Sequence, residues 1–319
     1  MNPSSRKRLK DKVAIVTGAG RSIGRAEALL LAAQGAKVVV NDLGGGPTGG
    51  GADASIAETV VEQIKKNGGE AVANTASVAS MEGAQALIET ALKAFGRIDI
   101  LINNAGIIRP GRVDQLTEAD WDLVHNVSLK GYFATIRQAA PHMISQGEGG
   151  AILNTSSSSG FGHYAMANYS AAKEGIIGLT RTVARDLGQF GIRCNAIRPQ
   201  SNESNLAIDS LFEYIKIGEK LGQTMLWNKP VNYNPPVPAL ADPVAALAVW
   251  LCTDACAHVS GREFHVQGGE VALFPEPEFS RISFNPKGWD IDSLDDPGVR
   301  EYLVGDIPNR FVRKAGSNP

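Results

Sequence analysis

Residues 13–24 read VAIVTGAGRSIG, an apolar run that leads into a glycine-bearing turn. The run fits a buried parallel strand, and the Ala- and Leu-rich residues 25–34, followed by Gly35, fit a helix and its end. Glycines in such a turn let the backbone approach a pyrophosphate, while the helix N-terminus supplies N–H donors and a favourable dipole. Turns of this kind also form for packing reasons, so the motif needs support from the rest of the chain.

Strand-like and helix-like segments alternate from residue 12 to about residue 268. Such alternation predicts an α/β fold, in which a parallel sheet is connected by right-handed crossovers. The strand candidates are 13–16, 37–40, 71–74, 98–102, 151–154, 193–197 and 263–266.

The 319 residues predict a single catalytic domain, at 11–274, with additions to its core. Residues 1–10 are basic, lack an apolar segment behind them and are interpreted as a flexible tail. A substrate lid is expected at about 200–240, where a helical patch at 205–221 precedes a Pro-rich loop. Residues 275–319 follow the last strand and form a C-terminal extension.

Composition excludes several classes of protein. A net charge of −2 without clustered Lys and Arg argues against a nucleic-acid partner. No apolar run reaches the roughly 18 residues that a membrane span needs. Three cysteines fit a reducing compartment, and a cytoplasmic location is expected. Cys252, Cys256 and His258 match no strong zinc spacing, so buried thiols are favoured over a metal site, and no metal is predicted.

The choice of nicotinamide cofactor depends on two residues of opposite charge. Asp42 lies near the end of the second strand, where a carboxylate accepts hydrogen bonds from ribose hydroxyls and repels a 2′-phosphate. Arg21, in the glycine turn, points the other way, because a guanidinium can pair with that phosphate. The carboxylate opposes the phosphate directly, so NAD is predicted over NADP.

Tyr169 and Lys173 are four residues apart on a predicted helix and therefore share a face. A nearby ammonium and a cationic nicotinamide both favour the phenolate, which can then take a proton from an alcohol. The serine run at 155–159 follows a strand and offers a hydroxyl to hold the substrate oxygen. A Ser-His-Asp hydrolase is excluded, because the chain has no Gly-x-Ser-x-Gly elbow.

Taken jointly, these motifs resemble the short-chain dehydrogenase/reductase family over about residues 10–270. The resemblance rests on the glycine turn, on Asn-Asn-Ala-Gly at 103–106, on the Ser-Tyr-Lys set and on Gly268-Gly269. It implies a Rossmann-type, doubly wound sheet of about seven strands, an NAD-dependent enzyme, and a homodimer or homotetramer.

The family's site residues carry over by position. The catalytic set becomes Ser157, Tyr169 and Lys173, with Ser156 open as the alternative serine, and with Ser128 where many members have asparagine. Two further departures are Ser22, at the middle glycine of the turn, and Gln200, at the usual glycine after Pro199. The implied cofactor contacts are Gly18, Arg21, Ser22, Ile23, Gly24, Asp42, Ser77, Val78, Asn104, Ala105, Gly106, Tyr169, Lys173 and Pro199.

Within the family, the stretches 38–45, 167–173 and 250–252 are similar to the (3R)-hydroxyacyl-CoA dehydrogenase part of multifunctional β-oxidation enzymes and to bacterial hydroxysteroid and steroid side-chain dehydrogenases. The resemblance implies oxidation of a secondary alcohol on a bulky apolar substrate. The first candidate is a 3-hydroxyacyl-CoA, for example one with a steroid side chain. The alternatives are a dehydrogenase of free hydroxysteroid or terpenoid alcohols and a non-catalytic NAD-binding regulatory protein. Specificity is expected from 200–240 and from the loop at 161–164.

Overall fold

The computed structural model describes residues 7–206, 208–223 and 238–307. Its centre is a sheet with the strand order β3-β2-β1-β4-β5-β6-β7-β8. The strands are β1 (Val13–Thr17), β2 (Lys37–Asn41), β3 (Glu70–Asn74), β4 (Ile100–Asn103), β5 (Gly150–Thr155), β6 (Ile192–Gln200), β7 (Glu263–Gln267) and β8 (Glu270–Leu273).

The first seven strands run parallel, as the alternation of segments predicts. The chain order reverses between β1 and β4, which are neighbours in the sheet although β2 and β3 lie between them in sequence. Ligands of doubly wound sheets bind outside the carboxyl ends of the strands at such a switch point. The fold therefore places a binding crevice beside Thr17 and Asn103, the last residues of β1 and β4.

Helices cover both faces of the sheet. They are α1 (Ser22–Ala33), α2 (Ser55–Lys66), α3 (Met81–Phe95), α4 (Glu118–His125), α5 (Gly131–Gln146), α6 (Ala167–Gly188), α7 (Asp209–Lys220), α8 (Ala241–Leu251), α9 (Ile291–Leu294) and α10 (Pro297–Val304). Apolar side chains of α1, α2 and α8 pack on one face, and those of α3, α5 and α6 pack on the other. Among the described residues, no helix is long and apolar enough to cross a bilayer.

The eighth strand is an addition to the expected seven. β8 pairs antiparallel with β7, and Gly268-Gly269 form the two-residue turn between them. Gly268 has φ +53°, and two-residue hairpins favour residues that tolerate positive φ. The glycine pair therefore closes a hairpin at the edge of the sheet.

The structure describes part of each addition to the core. Residues 1–6 of the expected N-terminal tail lie outside the described residues, but Leu9 is buried and its N–H donates to the carbonyl of Gln34. The helical patch expected at 205–221 is α7, and the Pro-rich part of the lid falls largely in 224–237, outside the described residues. The extension contains α9 and α10 and is described as far as Ile307.

Candidate active site

A cavity of about 610 Å³ opens at the carboxyl edge of the sheet. It collects side chains and backbone from β1, β2, β4, β5 and β6 and from α1 and α6, because parallel strands end at one edge. Of the predicted site residues, Ser128 is absent from its wall. Those that line the wall are Gly18, Arg21, Ser22, Ile23, Gly24, Asp42, Ser77, Val78, Asn104, Ala105, Gly106, Ser157, Tyr169, Lys173 and Pro199.

The glycine turn is packed too closely for side chains at two positions. A Cβ on Gly18, where φ is +62°, would stand 2.8 Å from Cα of Ala105, and one on Gly24 would stand 2.3 Å from the carbonyl oxygen of Gly18. Ser22 adopts φ +48°, and its buried hydroxyl has no partner among the described residues. This hydroxyl lies at the N-terminus of α1, so it offers a hydrogen bond to an anion there. The turn therefore fits a pyrophosphate despite the serine.

Asp42 ties the glycine turn to the loop after β2. Its Oδ2 accepts a hydrogen bond from the N–H of Gly20 at 2.8 Å, and its Oδ1 accepts one from the N–H of Gly44 at 2.7 Å. Arg21 donates from Nη1 to the carbonyl of Gly45 at 3.0 Å. Each carboxylate oxygen keeps a second lone pair, so Asp42 can still accept from a ribose hydroxyl. Asp42 and Arg21, the two residues that bear on cofactor choice, thus lie side by side.

The ends of β1 and β4 are joined by side chains. Asn104 donates from Nδ2 to the carbonyls of Thr17 and Gly18, each at 3.1 Å. The hydroxyl of Thr17 accepts from the N–H groups of Asn104 and Ala105 at 3.0 and 3.1 Å. These bonds satisfy backbone groups at the switch point and fix the floor of the cavity.

Tyr169 and Ser157 meet at the cavity wall, and the two candidate serines differ in what they contact. The hydroxyl of Ser157 accepts from the N–H of Ser159 at 3.1 Å, whereas that of Ser156 donates to the backbone carbonyl of Lys173 at 2.7 Å. Burial raises the pKa of Tyr169 to about 12, and the bond from Ser157 opposes that rise. Because the hydroxyl of Ser156 is engaged by a backbone carbonyl, Ser157 stays the predicted catalytic serine and Ser156 the alternative.

Lys173 is buried and lies between two aromatic rings. Its Nζ donates to the carbonyl of Thr155 at 2.7 Å and to the hydroxyl of Tyr132 at 3.4 Å, and it is 5.6 Å from the ring centroid of Tyr169. Burial lowers the pKa of Lys173 to about 7. The lowering of the Tyr169 pKa by this lysine stays a prediction.

Ser128 lies behind the cavity rather than on its wall. It is buried in a π-helical turn, Asn126–Lys130, that joins α4 to α5. A Cβ on Gly106 would stand 3.6 Å from both the hydroxyl of Ser128 and Nζ of Lys173, so the two polar groups face the same small space. Extra residues of this kind in helices often occur at functional sites.

The substrate side of the cavity is formed by residues between β6 and α8 and by the loop before α6. It includes Gln200 and His163, both placed there by the sequence analysis. Burial lowers the pKa of His163, whose Nδ1 is 3.0 Å from the carbonyl of Tyr164. The apolar part of this wall is Ile107, Ile108, Leu123, Leu206, Leu211, Phe212 and Ile215.

Sequence reasoning missed residues whose importance arises only from folding. Tyr132 donates to the carbonyl of Thr155 at 3.1 Å and so shares an acceptor with Lys173. The hydroxyl of Thr155 lines the cavity, buried and without a partner among the described residues. An aromatic residue inside a helix carries no signal in sequence that marks it out, and Thr155 entered the sequence analysis only as the first residue of the run at 155–159.

The thiols considered as metal ligands are buried. Burial raises the pKa of Cys252 to about 12 and also raises that of Cys256. In the described part of the chain, no group of three His, Cys, Asp or Glu residues is placed to hold a metal ion.

Comparison with known proteins gives a consistent result. Residues 12–211 match the family model described as short chain dehydrogenase. The chain is 40% identical over 262 residues to the peroxisomal multifunctional enzyme type 2 of Mus musculus, covering 82% of this chain but 32% of that enzyme. It thus spans about a third of that relative's length. It is 38% identical over 269 residues to a 3-oxoacyl-[acyl-carrier-protein] reductase of Synechocystis, covering 82% of this chain and 98% of that protein.

Solved structures agree. A short chain dehydrogenase from Mycobacterium avium has 37% identity and a TM-score of 0.75, with 93% of this chain and 95% of that chain covered. Carveol dehydrogenase from the same species, in complex with NAD, has 26% identity and a TM-score of 0.71, with 81% and 97% covered. The chain therefore belongs to the short-chain dehydrogenase family, as an oxidoreductase that uses a nicotinamide cofactor.

Proposed function

We propose that this enzyme uses NAD to oxidise the secondary alcohol of a 3-hydroxyacyl-CoA to the 3-oxoacyl-CoA. The observation that carries the proposal is that Ser157, Tyr169 and Lys173 line one cavity together with the residues of the glycine turn. The identity of 40% with a multifunctional enzyme, over 82% of this chain, supports a CoA thioester as the substrate class.

Several features of the cavity support NAD. The free hydroxyl of Ser22 at the start of α1 suits the pyrophosphate, and Asp42 suits unphosphorylated ribose. When bound, the nicotinamide ring supplies the hydride acceptor. Its positive charge also favours a phenolate nearby, which offsets the burial that keeps the pKa of Tyr169 high.

Four side chains have proposed roles in the proton transfer. Tyr169 accepts the proton of the substrate hydroxyl as the C–H bond breaks. Ser157 donates a hydrogen bond to the oxygen and stabilises the charge that develops on it. Lys173 holds the nicotinamide ribose and adds positive charge beside the phenol, and Ser128 completes a path for the proton through water near Lys173.

The apolar wall supports a bulky acyl group. Leu206, Leu211, Phe212 and Ile215 lie on the same side of the cavity, with polar groups of Gln200, Ser201, Asn202 and Asn205 beside them. Pockets of this kind gain most of their affinity from apolar contact and their orientation from a few polar groups. A steroid side chain and a long fatty acyl chain both satisfy this description.

A second candidate is oxidation of a free alcohol. The identity of 26% with an NAD-bound carveol dehydrogenase, over 81% of this chain, favours it. In this case the hydroxyl would belong to a terpenoid or a steroid rather than to an acyl thioester. The proposed roles of Ser157, Tyr169 and Lys173 would be unchanged.

NADH formation by the purified enzyme tests the proposal. The substrates are the (3R) and (3S) forms of a long-chain 3-hydroxyacyl-CoA, a steroid side-chain 3-hydroxyacyl-CoA, the matching free 3-hydroxy acids and a hydroxysteroid, each with NAD⁺ and NADP⁺. We expect the thioesters to have a kcat/KM at least about 100-fold above the free acids, because CoA contacts add binding energy. Faster turnover of the hydroxysteroid would overturn the thioester assignment, and a preference for NADP⁺ would overturn the role of Asp42.

A further inference from the structure

Arg198 is a fully buried cation one residue before Pro199, on the strand β6. Its Nη1 donates to the backbone carbonyl of Ser157 at 2.8 Å. Its Nη2 donates to Glu174 at 2.9 Å and to Glu263 at 3.3 Å, and the side chain is 1% exposed. A buried guanidinium is tolerated because two carboxylates and a carbonyl replace the water it has lost.

Two aromatic rings enclose the same guanidinium. Its Cζ is 4.0 Å from the ring centroid of Phe161 and 5.6 Å from that of Phe274, and the two rings are 5.4 Å apart. Phe161 ends the short 3₁₀ turn that begins at Ser158, and Phe274 is the first residue after β8. The arginine thus joins the turn beside Ser157 to the start of the C-terminal extension.

The 3₁₀ turn Ser158–Phe161 packs directly against Arg198. A Cβ on Gly160 would stand 2.6 Å from Nη1 of Arg198 and 2.7 Å from Oε2 of Glu174, so the glycine backbone passes directly over the ion pair. The carbonyl of Ser157 accepts from the guanidinium at 2.8 Å, its hydroxyl accepts from the N–H of Ser159 at 3.1 Å, and the residue lines the same cavity as Tyr169. Holding the carbonyl therefore also holds the hydroxyl, because both belong to one residue.

We infer that Arg198 is a positioning residue that fixes Ser157 against Tyr169, and that Phe274 belongs to the same support. The inference rests on the proposed role of Ser157. The cluster defined by Arg198, Phe161, Phe274, Glu174 and Glu263 lies behind the serine and does not line the cavity, so it acts through Ser157 and not on the substrate.

Arginine is the side chain that this cluster requires. A planar guanidinium donates to a carbonyl and to carboxylates in different directions while its faces stack on rings. A lysine at 198 keeps the positive charge but concentrates it on one nitrogen, which cannot reach the same acceptors with the same geometry. Arg198→Lys is therefore the conservative change that separates charge from positioning.

The principal test compares wild type with Arg198→Lys. We expect kcat to fall by about 10-fold or more with the Kd for NAD⁺ unchanged within about twofold, since orientation in the reacting complex is lost and the nucleotide site is untouched. The alkaline shift of the pH–kcat curve is the specific readout. A hydrogen bond from Ser157 lowers the pKa of Tyr169, so its loss raises the pH at which the phenol ionises. The rise of kcat with pH should therefore occur at higher pH in the variant.

A measurement without substrate keeps this test independent of the proposed function. Amide hydrogen exchange should increase at residues 157–162 in Arg198→Lys and stay unchanged at the β4 end. If exchange at these residues is faster in the variant but neither protein oxidises any alcohol, the positioning role of Arg198 is retained and the proposed function is wrong. Exchange at 157–162 equal to wild type, or unchanged kcat and pH profile in a folded variant, would overturn the inference.

A second variant serves if Arg198→Lys does not fold. Phe274→Ala removes one ring from the guanidinium, and Phe279→Ala is the matched control, since Phe279 is 86% exposed and lies in the same extension. We expect Phe274→Ala to lower kcat by about threefold to tenfold and to raise exchange at 157–162, with Phe279→Ala equal to wild type. Equal behaviour of the two variants would overturn the inference.

Discussion

The cofactor side and the substrate side of this enzyme share one cavity but are built in different ways. On the cofactor side, strand ends and the glycine turn are fixed by hydrogen bonds between backbone groups and the side chains of Thr17, which is buried, and Asn104. On the substrate side, α7 buries a single residue, Gly218. The difference teaches that the geometry of one side is set by the sheet, whereas the other side is formed by a helix that is packed only lightly on the core.

The largest effect is expected where the two sides meet. Tyr169→Phe should lower kcat by about 10³-fold or more, because the phenol is the proposed proton acceptor, while the Kd for NAD⁺ changes little. Stopped-flow NADH formation and fluorescence titration of NAD⁺ measure the two quantities. Tyr302→Phe, in the exposed part of the extension, is the control. Retained turnover in Tyr169→Phe would remove this residue from the mechanism.

The core of the cofactor side contains a buried carboxyl group whose ionisation is opposed by its surroundings. Glu27 on α1 is fully buried, its carboxylate has no partner among the described residues, and burial raises its pKa to about 8. Its stabilising contribution is complete below the ordinary pKa of about 4.5, declines as pH rises and is lost once pH passes about 8. Glu27→Gln should therefore gain stability over wild type as pH rises.

Thermal and urea unfolding at about pH 5.5 and about pH 9 measure that gain. We expect the difference in the free energy of unfolding between Glu27→Gln and wild type to grow by on the order of 3 kcal/mol across this interval. The exposed Glu58→Gln is the control. A difference that is the same at both pH values would show that Glu27 is already ionised in the folded enzyme.

Cofactor choice should change at the edge of the cofactor side. Asp42→Asn removes the charge that opposes a 2′-phosphate while Arg21 stays beside it. We expect the ratio of kcat/KM for NADP⁺ to that for NAD⁺ to rise by about 10-fold. Asp53→Asn, in the same loop, is the control. No change in the ratio would mean that the loop, and not the carboxylate, excludes the phosphate.

The smallest effect is expected on the substrate side. Phe212 lines the cavity from α7 and is 46% exposed, so Phe212→Ala should raise KM by about threefold to tenfold with kcat nearly unchanged and little loss of stability. Ile217→Ala, on the same helix but away from the cavity wall, is the control. A large fall in kcat or in stability would show that α7 is part of the rigid core after all.

Much of the cofactor side was predictable from the sequence. The glycine turn, Asp42 and the pair Tyr169 and Lys173 carry local signals, because steric limits and helical spacing act within a few residues. Arg198 had no such signal, since its partners Ser157, Glu174 and Glu263 are brought to it by three different elements. Glu27 lay on a helix that the sequence predicted, but its burial depends on which face meets the sheet.

The sequence by itself determined the alternation of strands and helices and the family, and it placed nearly all of the predicted site residues on one cavity wall. It did so because parallel strands bring their ends to a single edge wherever they fall in the chain. Only the tertiary structure joined the hydroxyl of Ser156 to the backbone of Lys173, placed Ser128 behind Gly106, and added β8 to the sheet. Those outcomes depend on contacts between distant segments, which local sequence preferences do not encode.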